Sequence, residues 1–207
     1  MFDELKDSII TGNEDKAKEL TRKFLNEGKA AKEILNSGLI AGMDVVGQRF
    51  KTYEMYLPEV IMSATAMKNA MDLLKPHLSK SEGAAMGKVI MATIEGDVHD
   101  IGKNLVSMML EGAGFEVVDL GVDVAVERII EVAAKESADI IGISALLTTT
   151  MLAMEPTIQM IRKKNNRVKI MVGGSPITKE YADKIRADGF APDALRAINL
   201  AKTLLLK

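Results

Sequence analysis

The spacing of apolar residues divides the chain into two stretches with different periods. Over residues 1–78 the period is helical. Phe2, Leu5, Ile9 and Ile10 share a face, Gly12-Asn13 interrupts, and Ala17, Leu20, Phe24 and Leu25 resume the spacing until Gly28. A third segment over about 31–50 sets Ile34, Leu35, Leu39, Met43 and Val46 at helical intervals, and a fourth runs from about 57, where Pro58 suits a first turn, to 78. Helices joined by such short connections predict an all-α four-helix bundle. Residues 79–87 (SKSEGAAMG) are small, polar and glycine-bearing, and are read as a linker. Beyond them the short apolar runs 88–95 (KVIMATIE), 115–120 (FEVVDL), 138–144 (ADIIGIS) and 168–172 (VKIMV) alternate with helix-length amphipathic segments. A very short strand over 188–191 and a last helix over about 193–206 complete the pattern. Buried strands alternating with helices predict a second domain over 88–207, an α/β flavodoxin-like (Rossmann-like), doubly wound parallel sheet of five strands.

Composition narrows the chemistry. The 207 residues carry 27 basic and 29 acidic side chains, a formal charge of -2, so nothing suggests an electrostatic grip on nucleic acid or on an anionic membrane. No apolar run approaches the ~18 residues of a membrane span, and the N-terminus carries Asp3 and Glu4 inside an amphipathic pattern, so a cytoplasmic location is expected. The absence of cysteine excludes disulfides, thiolate-ligated zinc, iron-sulfur clusters and a thiol nucleophile. A metal would have to rely on histidine, carboxylates or a cofactor's own ligands.

Ligands of doubly wound sheets bind outside the carboxyl ends of the strands, which singles out residues 96–104, 144–150 and 173–176. The first of these loops fails as a phosphate-binding P-loop. Five residues separate Gly96 from Gly102 where four are needed, and Asn104 stands where a magnesium-binding hydroxyl should be. It does hold His99, flanked by Asp97 and Asp100. An imidazole hydrogen-bonded to a carboxylate through one nitrogen offers a fixed, more basic lone pair on the other, as metal ligands do. From the residues alone, a metal ligand and a loop histidine capping the next helix both stay open. Thr148, Thr149 and Thr150 are equally open between capping the following helix and extending an Asp97–His99 network. The other histidine, His77 beside Pro76, reads as a solvated residue at a helix C-terminus.

The loops together spell Asp97-x-His99-x-x-Gly102, then 41 residues, Ser144-x-Leu146, then 26 residues, and Gly173-Gly174. This set, with its gaps, resembles the signature of the cobalamin-binding domains shared by methionine synthase, some mutases and the corrinoid proteins of methyltransferase systems. The run 96–106 (GDVHDIGKNLV), with the helical stretch before it, is similar to the stand-alone corrinoid carriers of anaerobic methyltransferase systems, and the resemblance covers nearly the whole chain. It implies that the cofactor's benzimidazole leaves the cobalt and that His99 replaces it as the metal ligand. Asp97 would then be its hydrogen-bond partner and Thr150 the third member of a relay. Ser144 would hydrogen-bond the nucleotide tail, Leu146 would wall its slot, and Gly173 and Gly174 would let it pass close to the backbone. Val98, Asp100, Ile101, Gly102, Thr148, Thr149 and Phe190 complete the cofactor-binding set that the resemblance implies.

The function so implied is methyl transport, without catalysis by the chain alone. Cobalt would cycle between Co(I) and methyl-Co(III), with His99 bound in the methylated state and released in Co(I). The implied partners are a substrate-specific methyltransferase, a methyl-acceptor methyltransferase and a reductive activator of the corrinoid. Residues 1–78 would form a cap over the upper cobalt face, hinged at 79–87. Met43, Met55, Met62, Met67 and Met71, with Phe50, Tyr53 or Tyr56, are open between core packing and an apolar lid. Two other readings use the same cofactor. A cobalamin-dependent sensor usually carries a DNA-binding domain, for which this chain has no basic patch, and a subunit of an adenosylcobalamin mutase gives no reason for the helical cap.

Overall fold

A computed structural model of the chain describes residues 2–78 and 86–206. Most of the expected linker and hinge, residues 79–85, lies outside the described residues. The chain divides into two compact units, Met1–Ala85 with Glu111–Gly114, and Met86–Leu110 with Phe115–Lys207.

The first unit is helical: α1 (Asp3–Ile10), α2 (Glu14–Asn26), α3 (Ala31–Glu33), a π-helical stretch (Ile34–Ile40), α4 (Ala41–Lys51) and α5 (Leu57–Leu74). Asn13 starts α2 by accepting the Lys16 N–H at 3.0 Å, which satisfies one of the free donors of the first turn. Leu5, Ile9, Ala17, Leu20, Val60, Met67 and Leu74 are fully buried, so the apolar stripes read from the sequence form the core. Two details differ from the expected helices. The third is not α-helical throughout, because Ile34 and Leu39 are both fully buried although five residues apart. In an α-helix they would diverge by ~140° around the axis. The wider π turn brings them to one side and sets Gly38 against Leu5, whose Cδ2 would lie 2.6 Å from a Cβ at that position. The last helix stops at Leu74 and continues only as a 3-10 turn, Lys75–His77, because Pro76 disfavours α geometry at the residue before it. Met43, Met55 and Met67 are buried, whereas Met62, Tyr53 and Tyr56 are exposed.

The second unit is a five-stranded parallel sheet of order β2-β1-β3-β4-β5. Its elements are β1 (Lys88–Thr93), α6 (Ile101–Gly112), β2 (Glu116–Asp119), α7 (Val126–Lys135), β3 (Ile140–Ser144), α8 (Thr148–Met151), α9 (Met154–Lys164), β4 (Lys169–Gly173), α10 (Lys179–Lys184), β5 (Gly189–Phe190) and α11 (Ala194–Leu205). Ile90, Ala92, Ile141, Ile143, Ile170 and Val172 are buried in the sheet and pack with Ile129, Ile158 and Ile161 of the helices. That is the continuous apolar character expected of strands covered on both faces. The register aligns Thr93 with Ser144, and Ser144 with Gly173, so β1, β3 and β4 end level with one another. Their loops therefore open on one edge. The strand order reverses between β1 and β3, the usual ligand position in such sheets. Among the described residues no helix is long and apolar enough to cross a membrane.

Candidate functional site

At the β1/β3 reversal the structure brings together Asp97, His99, Leu146 and Thr150. Asp97 is fully buried, and its two carboxylate oxygens serve different partners. Oδ1 accepts the His99 backbone N–H at 3.0 Å and faces His99 Nδ1 at 2.7 Å. Oδ2 accepts the Leu146 N–H at 2.8 Å and the Thr150 hydroxyl at 2.6 Å. Burial works against the negative charge, yet the bonds from Thr150, from the Leu146 and His99 amides and from the His99 ring outweigh it. They hold the Asp97 carboxyl well below the usual carboxylate range. Both oxygens of an ionised carboxylate are acceptors, so Nδ1 must donate, which leaves the lone pair of a neutral ring on Nε2.

The ring itself is not buried: the His99 side chain is 45% exposed. Large apolar side chains stand beside it unprotected, with Val98 69% and Ile101 85% exposed and Leu146 and Leu147 also open. Solvent-facing apolar residues grouped around a pre-oriented imidazole mark a place where an apolar ligand lies against the protein. A Cβ built at Gly102, in the first turn of α6, meets nothing within 4 Å. A half-exposed imidazole within an apolar rim fits a corrinoid, to whose metal it could offer one nitrogen.

The remaining expected residues lie on the same sheet and on the loops and helices that follow its strands. Asp100 is half-buried and accepts Asn104 Nδ2 at 2.9 Å, which ties it to α6. Ser144 is half-buried at the end of β3, where its carbonyl accepts the Ile94 N–H at 3.0 Å. Thr148 and Thr149 are exposed on α8, so of the three threonines it is Thr150 that turns inward to Asp97. Phe190 is half-buried on β5, paired with Val172, and β3 and β4 separate it from β1. For the two glycines the structure supplies a reason other than room for a nucleotide. A Cβ at Gly174, whose φ is +125°, would lie 1.8 Å from the Ala145 carbonyl oxygen, and one at Gly173 would lie 2.9 Å from the Ala191 oxygen. The backbone of the chain itself fills that space.

Other residues of the site had no signature in the sequence. Thr93 Oγ1 donates to the His99 carbonyl at 2.9 Å, and its one sequence clue is a hydroxyl inside an apolar strand. Lys103 is buried in α6 and pairs with Asp119 at the end of β2 while donating to Asn104 Oδ1 at 2.6 Å. Its signal is a charge on the inward face of an amphipathic helix. Asp119 also accepts the Gly121 N–H at 2.8 Å, and the Gly121 carbonyl accepts the Thr93 N–H at 3.0 Å.

Comparison with known proteins places this geometry. A family model described as B12 binding domain matches residues 87–199, and a second with the same description matches residues 1–75. A corrinoid protein of Desulfitobacterium hafniense is 45% identical over 212 residues, covering 100% of this chain and 98% of the relative. A dimethylamine corrinoid protein of Methanosarcina barkeri is 43% identical over 208 residues, covering 99% and 97%. Among solved structures, a cobalamin-binding protein from Desulfitobacterium hafniense matches with a TM-score of 0.80 at 30% identity, covering 99% of this chain and 98% of the other. A chain of the methanol:cobalamin methyltransferase complex of Methanosarcina barkeri matches with a TM-score of 0.86 at 30% identity, covering 98% of this chain and 78% of the other. With the helical unit, the sheet order and the histidine loop all in hand, the chain belongs to the family of cobalamin-binding corrinoid proteins.

Proposed function

We propose that this chain is the methyl-carrying subunit of a corrinoid-dependent methyltransferase system, binding cobalamin with its benzimidazole displaced and His99 Nε2 as the lower axial ligand. The observation that carries the reading is the 2.7 Å hydrogen bond from His99 Nδ1 to the fully buried Asp97, beneath an exposed ring. When bound, the corrinoid supplies a cobalt centre that accepts a methyl group in its reduced form and donates it in its oxidised form. His99 presents Nε2 at a fixed orientation, because Asp97 holds the other side of the ring. Thr150 and the Leu146 amide occupy Asp97 Oδ2 and leave Oδ1 to the imidazole. When Nε2 is not a ligand it can hold a proton, and the Asp97 carboxylate balances that charge through the Nδ1–H bond, linking ligation to protonation. The exposed Val98, Ile101 and Leu146 would give the corrinoid an apolar surface to rest on. The half-buried Ser144 and Phe190, on the same sheet, would be left to hold the nucleotide tail.

A carrier of this kind needs a methyltransferase to load it and a second to unload it, with a reductive activator to restore the metal after oxidation. Full-length relatives named dimethylamine corrinoid proteins, and the structural match from a methanol methyltransferase complex, favour a small donor of the methylamine or methanol kind. The test is electron paramagnetic resonance of the Co(II) state of chain labelled with 15N-histidine and loaded with unlabelled cobalamin. Ligation by His99 gives a nitrogen doublet with labelled protein and a triplet with unlabelled protein, and the splitting vanishes in His99→Ala. A triplet that persists in labelled protein overturns the reading, because the ligand nitrogen then belongs to the cofactor.

A further inference from the structure

The loop that carries His99 is held from behind by a residue to which neither its motif nor the proposed chemistry assigns a role. Asp123, between β2 and α7, has a φ of +52°, in the left-handed region that glycine enters freely and most other residues avoid. Two bonds on the Asp97 turn accompany that conformation. The Asp123 carboxylate Oδ1 accepts the Gly96 N–H at 2.7 Å, and the Asp123 N–H donates to the Asp97 carbonyl at 2.9 Å. Gly96 is itself left-handed, with φ +81°. The two residues thus interlock beside the Ile94–Val124 bridge that follows β1. On the other side of the turn Thr93 Oγ1 holds the His99 carbonyl, and the Asp97 N–H donates to the Ile94 carbonyl at 3.1 Å. Among the described residues, the backbone hydrogen bonds of Gly96 and Asp97 thus run to Asp123 and to Ile94, just past β1.

We infer that Asp123 is a positioning residue whose carboxylate clamps the Gly96–Asp97 turn and so fixes the His99 imidazole on Asp97. A metal ligand must be held within about 0.5 Å of its working position. The Nδ1 bond does that only if the carboxylate receiving it cannot rock, and Asp97 sits on a two-residue turn that includes a glycine. Aspartate suits position 123 because it combines tolerance of the left-handed region with a charged acceptor for an amide. Glycine would relieve the backbone but lose the acceptor, whereas asparagine would keep the left-handed tolerance and a neutral acceptor oxygen for the Gly96 amide.

That difference defines the experiment, which uses the full chain and the variants Asp123→Ala, Asp123→Gly and Asp123→Asn. In cobalamin-free protein at one fixed pH, 15N NMR reads the exchange of the His99 Nδ1 proton and of the Gly96 amide, with His99→Ala assigning the ring signal. We expect Asp123→Asn to match the parent, and Asp123→Gly to exchange both protons about tenfold faster or more. After loading with hydroxocobalamin, the His-ligated fraction should fall by about tenfold or less in Asp123→Gly, the low end for outer-shell partners of a metal ligand, and stay unchanged in Asp123→Asn. If Asp123→Ala fails to fold, Asp123→Gly still decides, because it carries no backbone strain. Parent-like exchange in Asp123→Gly overturns the inference, since the residue would then serve only the backbone. An Asp123→Asn variant as loose as Asp123→Gly overturns it as well. The cobalt readout rests on His99 being the ligand. Should His99→Ala leave the cobalt spectrum unchanged, that reading fails, while exchange in the cobalamin-free chain still decides the clamp.

Discussion

At the scale of single residues, the site depends on one carboxylate with no room for a neutral substitute. Asp97 has donors on both oxygens, including backbone amides at His99 and Leu146 that cannot turn away. Asn has one acceptor oxygen, so Asp97→Asn sets its NH2 against at least one of these amides, at a cost of about 1–3 kcal/mol in the cobalamin-free chain. The same substitution changes the response to acid. The folded state lowers the Asp97 carboxyl pKa, so the stability it contributes is complete above the ordinary aspartate value of about 3.9 and is lost as pH falls below it. Urea midpoints of the parent should therefore drop more between pH 7 and pH 3 than those of Asp97→Asn, and equal drops would show that Asp97 is not charged when buried. Thr150→Val keeps the shape but removes the 2.6 Å bond to Oδ2. A loss of about 1–3 kcal/mol is expected, with Thr150→Ser restoring most of it.

At the scale of elements, close backbone contacts decide what the loops can do. The β4 end meets the β3 end at Gly174, where a Cβ would overlap the Ala145 carbonyl at 1.8 Å. Gly174→Ala must push Ala145 aside, and the next residue, Leu146, supplies an amide to Asp97. The expected result is a loss of about 3 kcal/mol or more in thermal or urea unfolding, together with weakened cobalamin binding. Unchanged unfolding would contradict this packing. Strands and helices were largely legible, because a parallel sheet covered on both faces needs unbroken apolar runs and its helices need apolar stripes. The π-helical stretch was not, since Leu35 and Leu39 suit an α-helix and the fifth-residue spacing of Ile34 and Leu39 becomes a signal only once both are seen to be buried. At 75–77 the helical period continues through Pro76, and it is the backbone restriction at the residue before the proline that ends the α-helix.

At the scale of the whole molecule, two family models cover most of the chain, and its relatives match along nearly their full length. A cofactor that binds only the folded chain stabilises it by mass action, by about 2.7 kcal/mol when free ligand is 100 times the dissociation constant. Saturation with hydroxocobalamin should thus raise the melting temperature of the parent. The shift should be smaller in His99→Ala, which removes the proposed cobalt ligand but keeps the apolar rim, and an identical shift would argue that the imidazole contributes no binding energy. By itself, the sequence determined the two structural classes and the sheet-end loops that carry Asp97, His99 and Leu146, because hydrophobic period is a local property of a chain. The tertiary structure alone decided which of three threonines reaches Asp97, why no side chain fits at Gly174, and that Thr93, Lys103, Asp119 and Asp123 support the histidine loop. Those are contacts between segments far apart in sequence. Their hydrogen bonds and excluded volumes exist only after β1, β2 and β3 have been set side by side.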